Sequence, residues 1–242
     1  MTYALEIKNI SAGYGKSQIL NDISFKVQNG SLCALLGPNG SGKSTVLKTI
    51  FGLTRIYSGS VMFNGEEING LRSFRMGEKG LIYLPQVGSV YRQLTVEENL
   101  VMAGYTLTKE ESEKRKVEIL ELFPNLRNYL KRKVSTLSGG EAQMLAIATA
   151  LVRSPNFLML DEPTAHLSPR VAREIFSRVK EISNKGITIL LVEQDVRSVL
   201  EIVDHVIILV SGRINFDGNT SELIKNPNLG KLFLGFESGN PR

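Results

Sequence analysis

Three short strings in this chain carry residue types able to handle a phosphate chain. The first is Gly37-Pro38-Asn39-Gly40-Ser41-Gly42-Lys43-Ser44-Thr45. Its glycines let the backbone curl so that amides point at phosphate oxygens, and a helix after it adds the positive end of its dipole. Lys43 is expected to reach the β- and γ-phosphates of a nucleotide, Ser44 to hold Mg²⁺ through its hydroxyl, and Thr45 to add a hydroxyl near the α-phosphate. The second string is Phe157-Leu158-Met159-Leu160-Asp161-Glu162, an apolar run that ends in paired carboxylates. Asp161 closes the run, placed to hold Mg²⁺ directly or through water. Glu162, one residue on, is expected to accept a proton from an attacking water. The third is Ser138-Gly139-Gly140-Glu141, ahead of a stretch with Met144, Leu145, Ile147 and Leu151. A serine and two glycines at a helix start can grip a phosphate through amides and dipole. By itself such a string is also just a well-capped helix.

The elements that must hold these strings are readable in outline. Leu5 and Ile7 alternate with polar residues, as do Ile23, Phe25 and Val27, so the first part reads as strands. Val61-Met62-Phe63 runs into Asn64-Gly65, a strong signal for a tight hairpin turn. From Thr95 to Val152 the pattern turns helical, with Val117, Leu120 and Phe123 at helix spacing. Three continuous apolar runs follow, Phe157 to Leu160, Ile187 to Val192 and Val206 to Val210, and they predict strands covered on both faces. Between the first two, Val171, Ile175, Val179 and Ile182 form one helical stripe, opened by Ser168-Pro169. Strand, helix, strand beside a phosphate loop predicts an α/β fold with a mostly parallel sheet.

Composition sets outer bounds. The 242 residues suffice for a substantial core, with 42% hydrophobic and 22% charged residues as in ordinary globular proteins. The longest apolar runs fall far short of a bilayer's thickness, and the first residues lack a secretory pattern, so a cytoplasmic location is expected. Cys33 is the only cysteine and excludes an intrachain disulfide; within Leu32-Cys33-Ala34-Leu35-Leu36 it reads as a small buried hydrophobe. The net charge of +5 is mild and scattered, and by itself points to neither nucleic acid nor lipid. His205, behind an aspartate at a strand start, reads as a surface or strand-edge residue.

Taken together, the phosphate loop, Ser138-Gly139-Gly140-Glu141 and Asp161-Glu162 make the chain resemble one cassette of an ATP-binding cassette (ABC) ATPase. The resemblance implies a P-loop NTPase (RecA-like) core with an antiparallel β subdomain and a helical subdomain. It divides a single cassette of residues 1–242 into a nucleotide-binding core, 1–85 with 156–242, and a helical part, 86–155. It implies ATP and Mg²⁺ as cofactors and a head-to-tail pair of cassettes, homodimer or heterodimer, in which Ser138 to Glu141 complete the ATP site of the opposite subunit. Tyr14, in Gly13-Tyr14-Gly15, matches the residue that stacks on adenine. Gln86 matches the glutamine that touches Mg²⁺ or water and senses the transporter. Gln194 sits where most of the family has a histidine; its amide can bond a γ-phosphate but carries no proton. His166 lies in the loop expected to face the partner, where it makes either a contact to the other ATP site or a plain interface contact. Ser168 stands where that loop usually has an aspartate, so a cross-interface role there is not implied.

Within the family the chain is most similar to the ATPases of branched-chain (hydrophobic) amino-acid importers. The similarity rests on Leu94 to Leu100, Phe123-Pro124, Ser138 to Ala146, Val192-Glu193-Gln194, Leu167-Ser168-Pro169 and the ending Asn226-Pro227…Leu234-Gly235. Gln86 departs from that branch, which often has glutamate there, and importers of urea and short amides look much alike. The implied partners are membrane permease subunits, met through a segment such as Gln86 to Glu98, a second cassette and, indirectly, an external binding protein. No nucleic acid is expected. The implied place is the inner face of the cell membrane. Two rival classes are a soluble ABC ATPase without a transport role, and a phosphoryl-transfer kinase. The single cysteine and single cassette argue against the first, and Ser138-Gly139-Gly140 with Glu162 against the second.

Overall fold

A computed structural model describes residues 2–225 of the chain. The stretch Asn226 to Gly235, part of the resemblance above, lies outside the described residues. Two sheets carry the architecture. The first is antiparallel, built from β1 (Tyr3–Tyr14), β2 (Ser17–Gln28), β4 (Arg55–Phe63) and β5 (Glu66–Glu67) in the order β2-β1-β4-β5. The β4–β5 turn is Asn64-Gly65 with φ of 48° and 82°, the paired positive values that a type I′ hairpin turn requires.

The second sheet holds β3 (Leu32–Leu36), β6 (Leu81–Leu84), β7 (Phe157–Asp161), β8 (Thr188–Glu193), β9 (His205–Val210) and β10 (Arg213–Asn219), in the order β10-β9-β3-β8-β7-β6. All neighbours are parallel except the β9–β10 hairpin at the edge. Strands β3, β7 and β8 are buried at every position, which their unbroken apolar runs demand. Successive side chains alternate between two cores. Leu32, Ala34 and Leu36 join one cluster with Leu158, Leu160, Ile189 and Leu191. Cys33 and Leu35 join the other, with Leu5, Ile7 and Phe25 of the antiparallel sheet.

Helix α1 (Lys43–Ile50) buries Val46, Leu47 and Ile50 in the core between the sheets, and the short α2 (Ser73–Glu78) adds Met76. The opposite core takes α3 (Val96–Ala103), α4 (Lys109–Leu122), α5 (Gly139–Leu151) and α6 (Pro169–Asn184). Helix α6 shows why the stripe matters: Ile175, Val179 and Ile182 are fully buried, each contributing about 2 kcal/mol through burial. Ser168 caps α6 by accepting a bond from Val171 N, with Pro169 in the first turn. Short helices α7 (Val196–Leu200) and α8 (Thr220–Ile224) follow β8 and β10.

One expectation fails. Val117 is 52% exposed, and α4 instead buries Ile119, Leu120 and Leu122, with Phe123 at its cap. The helix is strongly charged and meets the core near its C-terminal end through the arc of Ile119, Leu120, Leu122 and Phe123, and at about 100° per residue Val117 falls on the side turned away from that arc. Cys33 is buried as expected, and burial pushes its thiol well up, away from reactivity.

Candidate nucleotide site

The candidate residues arrive from four adjacent parallel strands. The phosphate loop leaves the carboxyl end of β3, Gln86 follows β6, Asp161 ends β7 and Glu162 follows it, and Gln194 follows β8. The carboxyl end of such a sheet is where open α/β folds present a ligand crevice. The sheet order therefore gathers residues far apart in sequence, such as Ser44 and Asp161, which lie 117 positions apart.

The loop's tight path depends on particular glycines. A Cβ on Gly37 would lie 2.1 Å from the Leu209 carbonyl oxygen, so only glycine lets the loop leave β3 against β9. Gly42 caps α1 at φ 106° and supplies no side-chain acceptor, which leaves the first amides of α1 free to meet an anion. Lys43 is 4% exposed; its Nζ donates to the carbonyls of Gly37 and Pro38 at 2.9 and 3.1 Å and stands 3.7 Å from Glu162 Oε1. Burial lowers the ammonium's pKa from the usual lysine value, while Glu162 and Asp161 pull it back up. Ser41 Oγ is buried and has no hydrogen-bond partner among the described residues. A buried hydroxyl without a partner, uncapped helix amides and an enclosed ammonium form a donor set that fits phosphate oxygens.

Beside the loop, Ser44 Oγ donates to Asp161 Oδ1 at 2.9 Å. Tyr83 donates from its hydroxyl to the other oxygen, Oδ2, also at 2.9 Å. Burial raises the Asp161 carboxyl above the ordinary aspartate range, against the pull of the Ser44 and Tyr83 bonds. Burial, with Asp161 next to it, pushes the Tyr83 phenol well up, so that it stays a donor. An adjacent hydroxyl and carboxylate oxygen fit Mg²⁺, which keeps several waters and needs one or two protein ligands beside phosphate oxygens.

Glu162 sits at φ 48°, a left-handed conformation that costs a glutamate on the order of 1 kcal/mol. Its N–H donates to the Val192 carbonyl at 2.9 Å, and that anchor helps hold the conformation. Its Oε2 accepts from the amides of Gln194 at 2.7 Å and Gln86 at 3.2 Å, while Oε1 faces Lys43. Two side-chain amides thus aim one carboxylate, whose side chain is 11% exposed. Gln86 meets Glu162 and has no described bond to Ser44 or Asp161. Thr45 is buried, and Tyr14 lies 44% exposed at the end of β1, within electrostatic reach of Tyr83. Asn39 and Gly40 lie on the loop's outer turn.

Ser138 is brought to a different place. It caps α5 through a reciprocal box: Glu141 N donates to Ser138 Oγ at 3.3 Å, and Ser138 N donates to Glu141 Oε2 at 2.8 Å. The bonds from Ser138, with the Tyr129 hydroxyl nearby, hold the Glu141 carboxylate below the usual glutamate range. Gly139 and Gly140 form the first turn; a Cβ on Gly140 would lie 2.5 Å from Val171 Cγ1. None of the described bonds of Ser138 or Glu141 reaches Lys43, Asp161 or Glu162. His166 stands at φ 63° in the β7–α6 loop, and His205 bonds Asp217 at 2.6 Å across the β9–β10 hairpin.

Sequence reasoning missed Tyr83 and Glu193. Glu193 is a buried carboxylate at the end of β8, bonded to Thr164. Each was readable only as a strand residue, because the partner that gives it a role comes from the neighbouring strand β7 or the loop that follows it.

Residues 20–165 match the ABC transporter family. Over 232 residues the chain is 50% identical to a probable branched-chain amino acid transport ATP-binding protein, LivF, of Archaeoglobus fulgidus, covering 96% of this chain and 98% of that one. It is 38% identical to the high-affinity branched-chain amino acid transport ATP-binding protein BraG of Pseudomonas aeruginosa, covering 96% and 99%. Among solved structures, the ADP conformation of an ATP-binding cassette of an ABC transporter superposes with a TM-score of 0.87 at 28% identity, over 98% of this chain and all of that one. With the phosphate loop, the carboxylate pair and the capped glycine turn in place on this fold, the chain belongs to the ABC transporter family as one of its ATP-binding cassettes.

Proposed function

We propose that this cassette hydrolyses ATP to power a membrane importer of branched-chain or other hydrophobic amino acids. The observation that carries the ATPase reading is the Glu162 carboxylate, aimed by Gln86 and Gln194 beside a buried lysine and a Ser44–Asp161 pair. The cargo reading is supported by the 50% identity to a branched-chain amino acid transport protein along nearly the whole of both chains.

In this reading the amides that open α1, with Lys43 and Ser41, bind the phosphates, and Tyr14 stacks on adenine. Ser44, Asp161 and Gln86 are the residues to hold Mg²⁺, which when bound neutralises developing charge on the phosphate oxygens. Tyr83 fixes the Asp161 carboxylate from behind. Glu162 orients a water and takes its proton, and Gln194 bonds the γ-phosphate or that water through its amide. Ser138, Gly139 and Gly140, with Glu141 bracing the cap, complete the site of a second cassette, and closure and opening of that pair drive transport.

We assign the contact with a permease to the groove of about 520 Å³ lined by Pro85, Tyr91, Met102, Tyr105 and Arg153. Val87, Tyr91, Val101, Met102 and Tyr105 are large apolar side chains left exposed around it, and the segment leads directly to Gln86. No helix among the described residues is long and apolar enough to cross a membrane, so attachment to the inner face would run through that groove. In this division residues 86–155 act as the helical unit and 1–85 with 156–242 as the nucleotide unit.

The test is capture of tagged Glu162→Gln protein from gently solubilised native membranes with MgATP. Loss of the base is expected to slow turnover by about 100-fold or more while leaving ATP bound and the pair closed. Recovery of a multi-span membrane protein and a second cassette supports the importer. Recovery of only soluble partners or of nucleic acid overturns the transport role. Uptake assays with labelled leucine and labelled urea, in cells with and without the gene, then decide the cargo.

A further inference from the structure

Glu193 is 3% exposed at the end of a strand whose other residues are all buried. A carboxylate in such a place is costly, and an apolar residue of similar volume would serve stability as well or better. Yet both of its oxygens accept hydrogen bonds. Oε1 accepts from Thr164 N at 3.0 Å and from Thr164 Oγ1 at 2.7 Å, and Oε2 accepts from Gln194 N at 3.2 Å. Burial raises its pKa, with those bonds opposing and Glu162 adding to the rise.

These bonds close a ring. Thr164 follows Glu162 by two residues, Glu193 binds Thr164 and the Gln194 backbone, and the Gln194 amide returns to Glu162 Oε2. Glu162 also hangs from Val192 by its own N–H. The left-handed turn at Glu162 is thus fixed on both sides by the end of β8. A shift of about 1 Å in a reacting group can cost on the order of 100-fold in rate, so a device that sets this spacing has work to do.

We infer that Glu193 is a positioning residue for hydrolysis, its buried carboxylate pinning the loop after Glu162 to the backbone that carries Gln194. The inference rests on the ATPase reading above. It assigns to Thr164 the matching role: the hydroxyl and N–H by which that loop is held.

The experiment uses the purified full chain, wild type and four variants, with kcat and KM for MgATP and a thermal melt for each. In Glu193→Gln the new NH₂ must oppose either the Thr164 donors or the Gln194 N–H, and Thr164→Val removes one donor while keeping the packing. Each is expected to lower kcat about 10-fold with KM within about twofold, the signature of lost alignment rather than lost binding. Thr164→Ser, which keeps the hydroxyl, is expected to recover most of the rate. The double variant is expected to fall no lower than the worse single, because both cuts open the same ring. The assignment is overturned if kcat holds in both single variants, if KM rises as kcat falls, if serine fails to rescue, or if the losses multiply. Should Glu193→Gln not fold, the Thr164→Val and Thr164→Ser pair decides alone. A wild-type chain that does not hydrolyse ATP would instead overturn the ATPase reading itself.

Discussion

The two glycine-bearing strings are built on opposite principles. Around the phosphate loop the bonds are long-range: Ser44 to Asp161, Tyr83 to Asp161, and Gln86 and Gln194 to Glu162. At Ser138 they are local, a serine and a glutamate three residues apart. The same box closes two other helix starts in this chain, Thr95 with Glu98 and Thr108 with Glu111. What sets Ser138 apart is the pair of glycines in its first turn. The first region is a site assembled within one chain. The second is finished as a helix cap and gains a ligand, in the proposed function, only from a second cassette.

The sharpest break between them comes from Lys43. Its ammonium is buried among loop carbonyls and near Glu162. Lys43→Ala is expected to cut kcat/KM for ATP about 1000-fold, since a preorganised cation facing developing charge supplies several kcal/mol. Fluorescent nucleotide binding should weaken in parallel. Near-normal hydrolysis would remove the phosphate loop from the reaction.

Gln194→Ala comes next. The amide aims Glu162 at 2.7 Å, but Gln86 remains on the same oxygen, so alignment is loosened and not lost. A fall in kcat of about 10-fold with KM nearly unchanged is expected from steady-state kinetics. A complete loss would give this neutral side chain a role that two shared hydrogen bonds do not explain. A loss equal to that of Glu193→Gln, and not additive with it, would tie both to the ring described above.

Local signals carried much of this fold. The β7, β8 and β9 runs are buried as unbroken apolar strings must be, and the Asn64-Gly65 turn takes the two positive φ values its composition invites. Strand β10 gave no such signal, because its residues alternate only between exposed and half-buried at a sheet edge. Motifs named Lys43, Asp161 and Glu162 as candidates but were silent on what holds them. Tyr83 reaches Asp161 only because β6 lies beside β7, and Glu193 reaches Thr164 only because β8 does. Those adjacencies follow from the order β10-β9-β3-β8-β7-β6, which no window of sequence encodes. Val117 departs in the other direction: the segment is helical, but Val117 lies on the side of α4 turned away from the arc of Ile119, Leu120, Leu122 and Phe123 that meets the core.

The smallest expected effect separates a cap from a site. Ser138→Ala and Thr108→Ala each remove the serine or threonine of the same capping box. Each is expected to cost about 1 kcal/mol of stability, the usual worth of an N-cap hydroxyl. For a chain of this size that is a fall in melting temperature of about 2–4 °C. The melts of the two variants should therefore match, while their turnover should not. Thr108 opens an exposed helix with no group of the nucleotide cluster near it among its described bonds, so its variant is expected to hydrolyse ATP at the wild-type rate. Ser138→Ala is expected to lose turnover at protein concentrations where two cassettes pair, because the hydroxyl it removes faces the second subunit's phosphates in the proposed assembly. If both variants keep full turnover, Ser138 is a helix cap and nothing more, and the gripping of phosphate must fall to the amides of Gly139 and Gly140 alone.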